Sequence, residues 1–265
     1  MSLARQNRDH VLSLISASAS AEGGGFTPDR SHKDEGPYTP AATVAAQQIM
    51  MRLTHDLRQL KETKAIDRKI AAKRLMLPEY DPWVEGQLAA GRASEARELA
   101  LTGADDVLPT MMVWAIDTAN WPRALELAEH VLRFNVALPA RYERDAPTLI
   151  VEEVAEAAFK LQNKGGRFPL DVLERVEELT AGIDMHDQPR AKLAKAIGVE
   201  LVAAADATES GPLGATILSM RALEKLRTAQ HLNDRIGVKG QITRLEKALG
   251  APAAAPEQAG TPPAA

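Results

Sequence analysis

An all-α fold, with an N-terminal helical hairpin or coiled coil followed by a tetratricopeptide-like array of antiparallel helices, follows from three properties of this sequence. Alanine, leucine, glutamate, lysine and arginine are abundant while aromatic residues make up only 4%, the composition of helices packed through aliphatic ridges and not of β-sandwiches. Apolar residues recur three and four positions apart, which puts them on one side of a helix. Prolines and glycines punctuate these periodic stretches at helix-length intervals. At 265 residues and 45% apolar content there is enough material for a sizeable core.

Taken in order, residues 1–39 form a flexible N-terminal segment, because ASASAEGGGFTPDRSHKDEGPYTP mixes Ser, Gly, Pro and charge without period. The short apolar patch near the N-terminus is too brief for a signal sequence or a membrane span. Residues 40–78 form a basic coiled coil or hairpin. Thr39 caps and Pro40 opens a helix expected from about Ala41 to Thr63. Its stripe Ala46, Met50, Leu53, Leu57, Leu60 suits helix pairing and continues through Ile66, Ile70 and Leu77, interrupted by Lys73. One long helix and a tight hairpin near Lys64 both satisfy this pattern.

Residues 79–250 form the helical-array body. Pro78 and Pro82 end the first element, and Trp83, Val84 and Leu88 start a short helix that closes at Gly91. Ser94 caps a brief helix through Leu101. Asp105 and Asp106 open another, in which Pro109 is tolerated in the first turn and Met112, Trp114 and Ile116 are buried. The turn TANWPR leads into RALELAEHVLRF, with Leu125, Ala128, Val131 and Leu132 on one face. Further helices are expected at about 147–163, 169–181, 188–206, 214–232 and 236–249. The tail APAAAPEQAGTPPAA, residues 251–265, buries nothing and is expected to be disordered.

Charge is divided unevenly. Between Arg52 and Arg74 eight cations face only Asp56, Glu62 and Asp67. From Glu95 to Asp187 acids outnumber bases about two to one, and from Met220 to Lys247 bases dominate again through Arg221, Lys225, Arg227, Arg235, Lys239, Arg244 and Lys247. A cationic helical rod can lie along phosphates by counterion release. Equally, its Lys and Arg stems can cover an apolar stripe on a solvated face. On the first reading Arg58, Lys61, Lys64, Arg68, Lys69, Lys73 and Arg74 contact the DNA backbone.

Other chemistry is constrained by absence. Without cysteine there are no disulfides, thiolate nucleophiles or cysteine-ligated metals. No phosphate-cradling GxxxxGK[ST] is present, which argues against ATP hydrolysis. The carboxylates Asp105 with Asp106, Glu152 and Glu153 with Glu156, and Glu177 with Glu178 could converge on a divalent ion. Their ordinary roles at helix starts and on solvated faces fit better. His10, His32, His55, His130, His186 and His231 never show the i, i+4 spacing of a helical metal site. Trp83, Trp114 and Trp121 read as packing anchors for at least two of the three. Neither catalytic residues nor a cofactor or metal is therefore assigned.

The succession LTHDLRQLKETKAIDRKIAAKRLMLPEYDPWVEGQLAAG, DDVLPTMMVWAIDTANWPRALELAEHVLRFNVALP, IVEEVAEAA, DMHDQPRAKLAKAIG and ALEKLRTAQHLNDRIGVKGQITRLEKAL resembles the small terminase subunit, M-protein type, of temperate tailed phages that package cohesive-end DNA. It spans about residues 40–250, with MVWAIDTANWPRALELAEHVL its most specific block. The resemblance implies a homo-oligomer, often a ring, that lacks ATPase activity. Such a subunit binds the packaging-initiation region of double-stranded viral DNA in the host cytoplasm and delivers it to the terminase large subunit. No membrane is involved. Members of this family are often labelled the endonuclease subunit, yet no motif here designates cutting residues. Other small subunits commonly carry an N-terminal helix-turn-helix, whereas residues 1–38 are too irregular for one. DNA contact then falls to the 41–77 region, or that region assembles subunits while the basic C-terminal helices bind DNA.

Overall fold

The computed structural model describes residues 40–95, 102–209 and 211–250. Every regular element among them is helical: α1 (Pro40–Glu62), α2 (Ile66–Met76), a 3₁₀ turn (Leu77–Tyr80), α3 (Asp81–Ala93), α4 (Val107–Asp117), α5 (Trp121–Arg133), α6 (Ala146–Gln162), α7 (Leu170–Thr180), α8 (Asp187–Ala207), α9 (Gly211–Leu232) and α10 (Lys239–Gly250). None of these helices is long and apolar enough to cross a membrane. The N-terminal segment 1–39, the tail 251–265 and most of the helix expected from Ser94 to Leu101 lie outside the described residues.

The stretch left open between one helix and two is two. The chain breaks at residues 63–65, where Ala65 is extended, and α2 begins afresh. On α1 the expected stripe is the packed face: Ala46, Leu53 and Leu60 are buried, and Met50 and Leu57 pack against the same core. The break shifts the phase. On α2 the packed residues are Ala72 and Met76, while Ile66 is 73% exposed.

Helix α4 is the hub. All ten residues from Val107 to Ile116 are buried, so it is apolar around its whole circumference and must be enclosed by neighbours. Those neighbours are α5, α3, α6, α1 and the 3₁₀ turn. Beyond it α6, α7 and α8 pack on one another, α9 lies along α8, and α10 closes on α9. Contacts between successive helices and between α6 and α8 are compatible with a tetratricopeptide-like array.

Two glycines permit close helix contacts. A Cβ on Gly198 of α8 would sit 2.7 Å from Leu226 Cγ on α9, and one on Gly91 of α3 would sit 2.4 Å from His130 Cε1 on α5. His130 is therefore enclosed; burial first, then Arg133 and Arg92, hold its imidazole below the usual histidine pKa. The unfolded chain accordingly binds a proton that the native state resists. Stability is full above the unfolded value of 6.5 and is lost as pH falls through it toward the lower folded value. The urea midpoint is expected to fall between about pH 7.5 and about pH 5.5, limits that bracket an unperturbed histidine, and to fall less in His130→Gln.

Candidate nucleic-acid interface

The seven cations singled out in sequence separate into two sets. Arg58 and Lys61 lie on α1, about 140° and about 80° around the helix from the buried Leu53 at 100° per residue. Lys64 follows in the break, and Arg68 and Lys69 lie on the first turn of α2. Lys69 is half-buried and the other four are exposed. None of the five side chains makes a hydrogen bond or ion pair with a described residue. The α1–α2 surface also exposes Val44, Met51, Ile66 and Leu75, so positive charge and apolar side chains are interspersed on it.

Lys73 and Arg74 sit differently, on the last turn of α2. Lys73 is largely covered, ion-paired with Asp117 at the end of α4, with its ammonium 5.9 Å from the centre of the Trp114 ring. Arg74 donates to the Thr118 carbonyl at 3.3 Å. Both cations meet the C-terminal end of α4, where the helix dipole favours positive charge, and so fasten α2 to the hub. The eighth cation of this run, Arg52, is paired with Glu79 at 3.0 Å.

Of the carboxylate candidates, Asp105, Glu152, Glu156, Glu177 and Glu178 are in structural service. Asp105 accepts from the Thr102 amide at 2.8 Å and the Gly103 amide at 3.2 Å, closing the turn before α4. Glu152 is held between Arg144 at 2.8 Å and Lys192 at 3.1 Å, and Lys192 also reaches Glu156 at 3.1 Å. Burial alone would lower the Lys192 ammonium, but hydrogen bonds to Glu156 and Glu152 outweigh it and hold its pKa above the usual lysine value. Glu177 pairs with Lys225 at 2.6 Å and Glu178 with Arg175 at 2.7 Å.

One pair the sequence did not suggest, Asp117 and Glu153, lines a cavity of about 370 Å³ with Lys73, Arg141, Tyr142 and Arg144. Burial, followed by the charges of Asp117 and Glu156, pushes the Glu153 carboxyl above its usual pKa. Lys73 on Asp117 and Arg144 at 3.7 Å from Glu153 supply positive charge there. No three of the described His, Asp and Glu residues are grouped so as to hold a metal ion.

Of the tryptophans, Trp114 is buried edge-on to Tyr80 and Trp121 packs on Phe168 at 5.0 Å between ring centres. Trp83 is half-buried, and its indole N–H has no hydrogen-bond partner among the described residues. The second basic stretch also divides. Arg221, Lys225 and Arg227 are matched by Glu174, Glu177 and Glu246 at 2.6 Å each, whereas Arg235, Lys239, Arg244 and Lys247 are exposed.

Comparison with known proteins gives this arrangement a family. Residues 50–188, which include all seven candidate cations, match the family described as phage small terminase subunit. The protein "Terminase, endonuclease subunit" of Escherichia phage P2 is 35% identical over 203 residues, covering 77% of this chain and 74% of that protein. No solved structure matches. The chain belongs to the phage small terminase subunit family, whose role lies in packaging the phage genome.

Proposed function

We propose that this subunit binds double-stranded viral DNA at the packaging-initiation, cohesive-end region as a homo-oligomer, often a ring in such subunits, and presents it to the terminase large subunit in the host cytoplasm. The observation that carries this reading is the set Arg58, Lys61, Lys64, Arg68 and Lys69, none with a partner among the described residues. An unneutralised cation releases condensed counterions when it meets a phosphate; one already paired with a carboxylate does so far less. Lys73 and Arg74 stand at the inner edge of the same surface and fix its orientation on the hub. The exposed Val44, Met51, Ile66 and Leu75 supply apolar area for subunit contact.

Changing the five cations to glutamine together is expected to weaken binding of a cohesive-end duplex and to flatten its salt dependence. The slope of log K against log salt should fall by about 0.9 for each phosphate no longer neutralised, roughly 4.5 for all five. Fluorescence anisotropy across a salt series measures this, with molecular mass in solution followed with and without DNA. Unchanged slope and affinity in a variant of unchanged mass would remove this surface from DNA binding.

A second reading is favoured by the name of the phage P2 relative, which calls it an endonuclease subunit. On that reading this chain cuts the cohesive-end site itself. Incubating it alone with cohesive-end DNA and magnesium tests both: intact DNA fits the presenting role, and sustained cutting that disappears in Asp117→Asn or Glu153→Gln establishes the nuclease.

A further inference from the structure

The turn 233–238 and helix α10 carry a second set of cations whose surroundings differ from the first. Along α10 the buried side is marked by Val238 just before it and by Leu245, with Ile242 packed beside them. At 100° per residue, Lys239, Thr243, Lys247, Gly240 and Arg244 spread over about 140° of the opposite side. All five are exposed, as is Arg235 in the turn. Arg235, Lys239, Arg244 and Lys247 make no side-chain hydrogen bond or ion pair with any described residue.

The acids nearby do not cancel this charge. Glu246, the only carboxylate in α10, is taken by Arg227 of α9 at 2.6 Å. Asp234, the one other carboxylate between residues 233 and 250, is exposed in the turn. The patch thus keeps a net charge of about +3, counting unit charges on these side chains at neutral pH.

Its apolar content decides the kind of partner. No large apolar side chain between residues 233 and 250 is strongly exposed, in contrast to Val44, Met51, Ile66 and Leu75 on α1–α2 and Leu213, Ile217 and Met220 on α9. Protein–protein interfaces are built around an apolar centre, whereas interfaces with DNA are polar, positive and wet. Gly240 and Thr243 add little bulk between the lysines, so a phosphate backbone can approach the ridge closely. From Lys239 to Lys247 the ridge runs about 12 Å along the axis at 1.5 Å per residue, a span that covers several phosphate charges of a duplex.

We infer that α10 and the turn before it form a second DNA-backbone contact, separate from α1–α2 and outside residues 50–188 that match the family. It is a phosphate surface without base readout, so it binds duplex DNA of any sequence and adds to the grip of the first. The inference rests on the proposed DNA-binding role, and the test separates the two.

Full-length protein carrying K239Q, R244Q and K247Q together is titrated with a short random-sequence duplex across a salt series, beside wild type and the five-cation α1–α2 variant. The three side chains hold no partner among the described residues, so the melting temperature should not change. The expected result is a slope lower by about 2.7 and, at about 0.1 M salt, affinity reduced on the order of a hundredfold, both from leaving three phosphates without a cation. If the α10 variant keeps wild-type slope and affinity while the α1–α2 variant loses both, this inference falls and the DNA-binding role stands. If wild type shows no salt-dependent binding to any duplex, both fall. An α10 variant that binds DNA normally but no longer associates with the large subunit also overturns the inference, assigning the patch to an acidic protein surface.

Discussion

Replacing Tyr80 with alanine is expected to destabilise the protein by about 3–5 kcal/mol, the range for deleting a fully buried large aromatic side chain. Tyr80 has no exposed surface. Its ring stands edge-on to Trp114 with centres 5.9 Å apart, and its hydroxyl donates to Asp56 Oδ2 at 2.7 Å. Burial, reinforced by the Asp56 hydrogen bond and charge, raises the phenol pKa well above the usual tyrosine value, so the donor stays protonated at working pH. One side chain thereby ties α1, the 3₁₀ turn and the α4 hub together. Tyr80→Phe keeps the ring but withdraws the hydroxyl from a carboxylate that is only 8% exposed, which costs about 1–3 kcal/mol. Urea titration gives the magnitudes, and hydrogen exchange should show amides of α1 losing protection before those of α8. Equal midpoints for Tyr80→Ala and wild type would mean that α1 is anchored by something else.

Glu200→Ala is expected to cost about as much, roughly 3–5 kcal/mol, because it removes one partner from a buried, fully bonded charge network. Glu200 is 1% exposed and accepts from Arg167 Nε at 2.8 Å, Gln162 Nε2 at 2.9 Å and the Phe168 amide at 2.9 Å. It fixes the connection between α6 and α7 onto α8. Arg167 is half-exposed and can turn toward water once the carboxylate is gone. The buried Phe168 amide cannot, and an unsatisfied buried donor carries its full desolvation penalty. A fall in Tm of roughly 10 °C follows for a chain of this size. Glu200→Gln, which keeps the volume and an acceptor oxygen, should lie between wild type and alanine. A melt for Glu200→Ala within a degree or two of wild type would show that the network adds nothing.

Helix identity was legible because it is set locally. The boundaries expected for α6 to α9 agree with those observed to within three residues, since Asp145 ahead of Pro147, Pro169 and the turn residues near 183–186 act on their own neighbours. The buried stripe of α1 was legible for the same reason. The phase slip at residues 63–65 was not: whether Ile66 packs or faces water depends on how α2 leans on the 3₁₀ turn, and no spacing rule carries that information. Likewise α4 promised buried sides, but only its enclosure by five neighbours explains why all ten residues from Val107 to Ile116 are covered.

The candidate interface was half legible. A surplus of lysine and arginine is visible in any window of sequence, so the two basic stretches stood out. Which of their charges remain available is a different quantity, determined by acids far away along the chain. Lys73 meets Asp117 across 44 positions, Arg221 meets Glu174 across 47 and Lys225 meets Glu177 across 48, while Arg58, Lys61, Lys239 and Lys247 meet none among the described residues. By itself, then, the sequence determined most of the helices, the packed face of α1, the family and the presence of two cationic segments, all of which depend on nearest neighbours or on residue order. Tertiary structure alone decided which cations are neutralised and which face water. Coulomb attraction at hydrogen-bond distance depends on separation in space, and folding sets that separation only once helices distant in sequence lie side by side.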